Sequence, residues 1–190
     1  MEMRRYTVAL ATLVLLMCGA SAMAAPSYVG ATKCRACHLK QFTTWQKTRM
    51  ALSFDLLKPG VKSNEKKAAG VDPDVDYTAD PTCLPCHTTG YLQPGGFTSV
   101  KATPNLVGIQ CESCHGPGSQ YLAKDKMSLE NKEYKRAALV AVGLVVPKAD
   151  TCTSSCHNEK SPFVKAGYVF EFEKRKTAGT HEHVALKYPH

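Results

Sequence analysis

Eight of the nine cysteines fall into four pairs, and a histidine follows every pair at once. Three pairs read C-x-x-C-H: Cys34, Cys37, His38; Cys83, Cys86, His87; and Cys111, Cys114, His115. The fourth, Cys152 and Cys156 with His157, holds one extra residue between its thiols. C-x-x-C-H is the attachment pattern of a c-type haem. Two thiols about one helical turn apart each form a thioether to one porphyrin vinyl, and the next residue turns its imidazole to the iron. The fourth pair needs only a looser turn to do the same. Disulfides suit an exported chain, and zinc ribbons use paired cysteines. Neither requires a histidine after each pair. The pattern therefore predicts four covalently bound c-type haems.

The composition agrees. Aromatic residues make up 8% of the 190, with one tryptophan, so the chain supplies a modest core of its own. Four large apolar discs would complete it. The expected fold is mainly α with long loops: short helices wrapped around four stacked haems.

The N-terminus reads as a secretory signal over residues 1–24. Arg4 and Arg5 are its positive region, Val8 to Met17 its apolar run, and Ala22-Met23-Ala24 its cleavage pattern. A lipidated Cys18 is the rival reading, opposed by the large Met17 before it. Residues 25–190 then form the tetrahaem domain, periplasmic or extracellular. No spanning segment remains after cleavage. The net charge of +8 first suggests nucleic acid. The export signal and the lack of basic-aromatic motifs argue against that, and four haems with two propionates each would offset most of the charge.

Histidine arithmetic constrains the sixth ligands. Four of the seven histidines are proximal, leaving His181, His183 and His190 for up to four distal positions. A complete set of two-histidine haems within one chain is impossible. Met50 is the best methionine candidate. His38 to Leu57 reads as one helix, along which Met50 lies about 18 Å from His38. It would serve a different haem, or else pack in the core.

Further segments carry a family resemblance: Lys33-Cys34 through Trp45 and Thr48, Leu57-Lys58-Pro59, Asp72-Pro73 with Asp76-Tyr77-Thr78, Gly95-Gly96-Phe97, Cys111 through Gly118, and His181-Glu182-His183. From Tyr28 to about Lys187 the chain resembles the tetrahaem cytochrome c-554 family. That family includes the electron acceptor of hydroxylamine oxidoreductase in ammonia oxidisers and filament-forming cytochromes of metal-reducing bacteria. The resemblance implies that Met50, where the family has a histidine, serves the His157 haem. It implies His181, with His183 second, for the His115 haem, and a five-coordinate His87 haem. The family's histidine for the first haem follows the third motif, but residues 119–127 contain none. Met127 and the nearby lysines are the alternative donors there, read here as core and solvated residues. His190 would reach another subunit, as in filament members, or be a tail.

Elsewhere, Lys58 to Lys67 reads as a solvated charged face. Asp72 to Pro81 reads as turns, and Ala137 to Val146 as an apolar run packed on a haem. Tyr91 and Phe97 are expected to pack likewise. The expected function is single-electron transfer between redox partners outside the cytoplasm, other multihaem cytochromes among them. A filament subunit and a small-ligand reductase at an open haem are the alternatives, and no catalytic residue is expected.

Overall fold

The computed structural model describes residues 24–188. The predicted leader, apart from Ala24, and His190 lie outside them. Nine short α-helices follow in order: α1 Ala31–Cys34, α2 Leu39–Trp45, α3 Ser63–Ala68, α4 Leu84–His87, α5 Cys111–His115, α6 Arg136–Val140, α7 Ala149–Thr153, α8 Pro162–Lys165 and α9 Phe172–Ala178. Two 3₁₀ turns, Ser53–Leu57 and Pro104–Leu106, lie between them. The sole extended pairing among the described residues is an antiparallel bridge between Thr88 and Val107. Turns and loops join these pieces, as expected.

Among the described residues no helix exceeds seven residues, well below the length at which an isolated helix holds itself. Packing and cross-loop hydrogen bonds must therefore hold each one. Two small clusters provide the packing. One joins Phe54, Leu57, Leu84, Phe97 and Leu106 around α4, and the other Tyr121, Leu139 and Leu144 around α6. Phe97 is fully buried, 6.0 Å from Phe54 and 6.5 Å from Tyr91 between ring centres. The apolar run from Ala137 contributes Leu139 and Leu144 to the second cluster.

The single helix expected over His38 to Leu57 is interrupted. Regular α-structure stops at Trp45, turns follow, and a 3₁₀ turn resumes at Ser53. Side chains and a neighbouring strand of backbone explain the break. The Thr44 hydroxyl donates back to the carbonyls of Lys40 and Gln41, a local bond that competes with helix propagation. The Trp45 indole N–H donates to the Ile109 carbonyl at 2.9 Å, and Ile109 N–H donates to the Met50 carbonyl at 2.9 Å. The segment is thus bent onto residues 108–109, where Gly108 fits closely: a Cβ there would stand 2.2 Å from the Ala51 oxygen.

The solvated face expected over Lys58 to Lys67 is also corrected at one position. Lys66 is buried. Its ammonium donates to the Lys58 carbonyl at 2.7 Å and lies 5.7 Å from the centre of the Tyr77 ring. A buried charge needs such partners. The Asp72–Pro81 stretch is turned as expected, with Asp72, Asp76 and Asp80 each accepting from the backbone N–H two residues on.

Candidate haem-attachment sites

Each cysteine pair sits on a tight turn that brings its histidine back over it. In the first motif His38 N–H donates to the Cys34 carbonyl, four residues back, at 2.9 Å. Cys86 N–H closes on the Cys83 carbonyl at 3.1 Å, and α5 carries the whole third motif. The expanded fourth motif closes differently. His157 N–H donates to the Cys152 carbonyl, five residues back, at 3.0 Å. The extra residue is absorbed in a wider turn of the π type, and Asn158 pins it by donating to the Thr153 and Ser154 carbonyls.

Thiols from different motifs meet. Cys34 and Cys111 lie within hydrogen-bonding reach, as do Cys86 and Cys156. Before haem is attached, the hydrogen bond with Cys111 holds the Cys34 thiol protonated, whereas the hydrogen bond from Cys156 brings Cys86 down to about 7. Burial, then the neighbouring Cys152 and Cys111, pushes Cys114 up to about 11. The motifs therefore run in the spatial order first, third, fourth, second. No disulfide joins any of the eight described cysteines. Among the described residues no three His, Cys, Asp or Glu side chains converge as zinc requires.

The histidines are individually positioned. His87 is held by a 2.7 Å hydrogen bond between its Nδ1 and the Ser53 carbonyl. A carbonyl only accepts, so Nδ1 carries the proton and Nε2 is left as the ligating nitrogen. Burial lowers the His87 pKa and favours this neutral form. His115 and His181 have ring centres 6.4 Å apart with planes inclined by 29°. Two imidazoles on opposite sides of one metal have ring centres about 6 Å apart, from metal–nitrogen bonds of about 2 Å plus the ring radii. His181 is carried there by its neighbour Glu182, whose N–H donates to Thr44 Oγ1 at 3.0 Å and whose carboxylate meets Lys40 at 2.7 Å. His183 lies 4.9 Å from His181, its Nε2 within 3.2 Å of Thr180 Oγ1 and 3.1 Å of the Lys176 carbonyl. His157 stacks on Phe170 at 4.0 Å.

Two cavities of about 210 Å³ each adjoin the motifs. One lies against Cys37 and His38, with Met127 and Tyr134 among its other walls. The second lies against Cys156, with Ile109, Thr88 and Tyr28. Met50 bonds through its carbonyl to Ile109 and so stands next to the wall of this second cavity. The thiol spacing, the Nδ1-protonated His87 and the His115–His181 separation all fit haem.

Sequence reasoning assigned no role to Glu112 and Gln110, which lock the third motif to the chain entering the first. The Glu112 carboxylate, 1% exposed, accepts from the N–H groups of Val29, Gly30 and Gly118, at 2.7 Å for the last two. Gln110 accepts from Ala31 N–H at 2.8 Å and donates to the Asn105 carbonyl at 2.6 Å. The position of Glu112 between two haem cysteines, followed by Gly116-Pro117-Gly118, was the available signal.

Four cysteine pairs with turned-back histidines on short helices define a multihaem c-type cytochrome. The family described as "Cytochrome c554 and c-prime" matches residues 33–116. Cytochrome c-554 of Nitrosomonas europaea is 34% identical over 199 aligned residues, spanning 93% of this chain and 84% of that one. The solved reduced state of cytochrome c554 from the same organism superposes with a TM-score of 0.71 at 30% identity, covering 87% of this chain and 89% of its own. The chain belongs to the cytochrome c554 family, and it carries four covalently bound c-type haems. It is an electron carrier of the c type.

Proposed function

We propose that this protein passes single electrons between redox partners in the periplasm. Its haems are held by Cys34/Cys37, Cys83/Cys86, Cys111/Cys114 and Cys152/Cys156, with His38, His87, His115 and His157 as proximal ligands. His181 is the distal ligand opposite His115, and Met50 the distal ligand of the His157 haem. The leader-like composition of residues 1–24 supports the location. No helix among the described residues is long and apolar enough to cross a membrane.

One observation carries the reading. Cys34 meets Cys111 and Cys86 meets Cys156, so attachment points distant in sequence are neighbours in space. When bound, haem supplies the ferric/ferrous couple. The chain does the rest. Its turns hold the four attachment points in a continuous series, and the Ser53 carbonyl fixes the His87 tautomer. Phe170 covers one face of the His157 ring and limits its rotation. Glu112 keeps the first and third motifs together.

A reductive titration of the purified, haem-loaded protein tests this. The expected result is a mass of the cleaved chain plus four haems and an uptake of four electrons per chain. Rapid oxidation of the reduced protein by a second c-type cytochrome should follow. Fewer than four haems, or no exchange with any protein partner, would overturn it.

A further inference from the structure

The cavity beside the first motif is lined by Cys37 and His38 together with Met127. From this juxtaposition we infer that Met127 is the sixth ligand of the haem held by Cys34, Cys37 and His38. The inference rests on the proposed attachment of haem at that motif.

Only certain side chains along this cavity carry a donor suited to haem iron. His181 and His183 are not among its walls. His181 pairs with His115, and His183 is engaged by Thr180 and Lys176. The Ser128 hydroxyl donates to the Lys124 carbonyl at 2.6 Å, and the Tyr134 hydroxyl to the Tyr188 carbonyl at 3.2 Å. Lys187 is exposed, with its ammonium 5.6 Å from the Tyr188 ring centre. An ammonium has no lone pair to give. The Tyr188 ring is flanked by this cation and by Lys132 at 5.9 Å. The Tyr188 phenol would bind iron only after losing its proton, whereas Met127 offers a soft thioether that needs no deprotonation and is an established kind of haem ligand.

Its backbone is also held in place. Met127 N–H donates to the Tyr121 carbonyl at 2.9 Å, and Tyr121 is a buried member of the second cluster. Ser128 Oγ accepts from the N–H groups of Glu130 and Asn131, and Asn131 donates to the Asp125 carbonyl at 2.8 Å. The side chain is half-buried between that cluster and the cavity. The reading of Met127 as core alone is thus incomplete: it stands where packing and the cavity meet.

Met127→Leu keeps the packing and removes the thioether. It is compared with wild type, Met50→Leu and His190→Ala, all haem-loaded and with haem stoichiometry measured first. Four haems in every variant keep the attachment reading intact, and fewer in wild type would defeat that reading itself. With four present, Met127→Leu should weaken the far-red charge-transfer band of ferric thioether-bound haem. It should also let the reduced protein bind one further carbon monoxide per chain and lower one midpoint potential. An unchanged band with unchanged carbon monoxide uptake would overturn the inference. So would the same new uptake in His190→Ala with none in Met127→Leu, which would assign the position to the C-terminal histidine.

Discussion

At the scale of single residues, Glu112 shows what a buried carboxylate does in a chain with little core. Three backbone N–H groups from two separate segments converge on it, so its charge is solvated by the protein in place of water. Glu112→Gln puts an amide N–H₂ where only acceptors fit, and should cost about 2–3 kcal/mol. Denaturant unfolding of the loaded protein, followed by circular dichroism, measures this; a loss below about 0.5 kcal/mol would refute the account. Tyr121 is the neighbouring case. Burial, helped by the Glu112 charge, raises its pKa above the usual 10.0, and its hydroxyl donates to the Gly116 carbonyl at 2.9 Å. The folded protein therefore keeps this proton at pH values where the unfolded chain releases it. The contribution is complete below about pH 10 and is lost as pH rises beyond it. Tyr121→Phe should cost about 1 kcal/mol at neutral pH and should flatten the alkaline part of the stability–pH curve.

At the scale of elements, the helices end where specific contacts stop them. Gly116 closes α5 at φ 77°, and a Cβ on it would lie 2.3 Å from the Gly143 oxygen. Gly116→Ala must move one backbone against the other directly behind His115. It should destabilise by more than about 3 kcal/mol, seen as a sharp fall in recovered haem-loaded protein; wild-type recovery and melting would contradict this. Legibility in the sequence follows the same division. The turns of the four motifs were legible, including the looser fourth, because thiol-to-histidine spacing dictates them locally. The Asx turns of residues 72–82 were legible for the same reason. The interruption after Trp45 was not. Apolar spacing from Leu39 to Met50 suits a helix, and the break depends on Ile109, 64 residues from Trp45. Lys66 escaped likewise, because its acceptor, the Lys58 carbonyl, becomes available only once the chain folds back.

At the scale of the whole molecule, very little apolar protein is buried. Ten apolar side chains form the entire core of the described residues, and burial of a side chain of this kind is worth only about 1.5–3 kcal/mol. Ordering each residue costs about 1–2 kcal/mol in backbone entropy alone, so haem must supply the balance. The chain produced without haem attachment should lack stable helicity and be digested rapidly by trypsin; a protease-resistant, cooperatively melting unloaded chain would contradict this. The overall class was legible because the motifs and the family segments span the chain. The sixth ligand of the first haem was not, since residues 119–127 contain no histidine and the approach of the Met127 loop to the first motif is set by the fold. The meeting of Cys34 with Cys111, and of Cys86 with Cys156, bears on biogenesis as well as on electron flow. Any partial collapse before loading would bring reduced sulfurs from different motifs together in an oxidising compartment. Covalent attachment must then outrun air: each haem delivered in time is also a sulfur withdrawn from mispairing, and a chain that waits too long is locked shut by its own crosslinks.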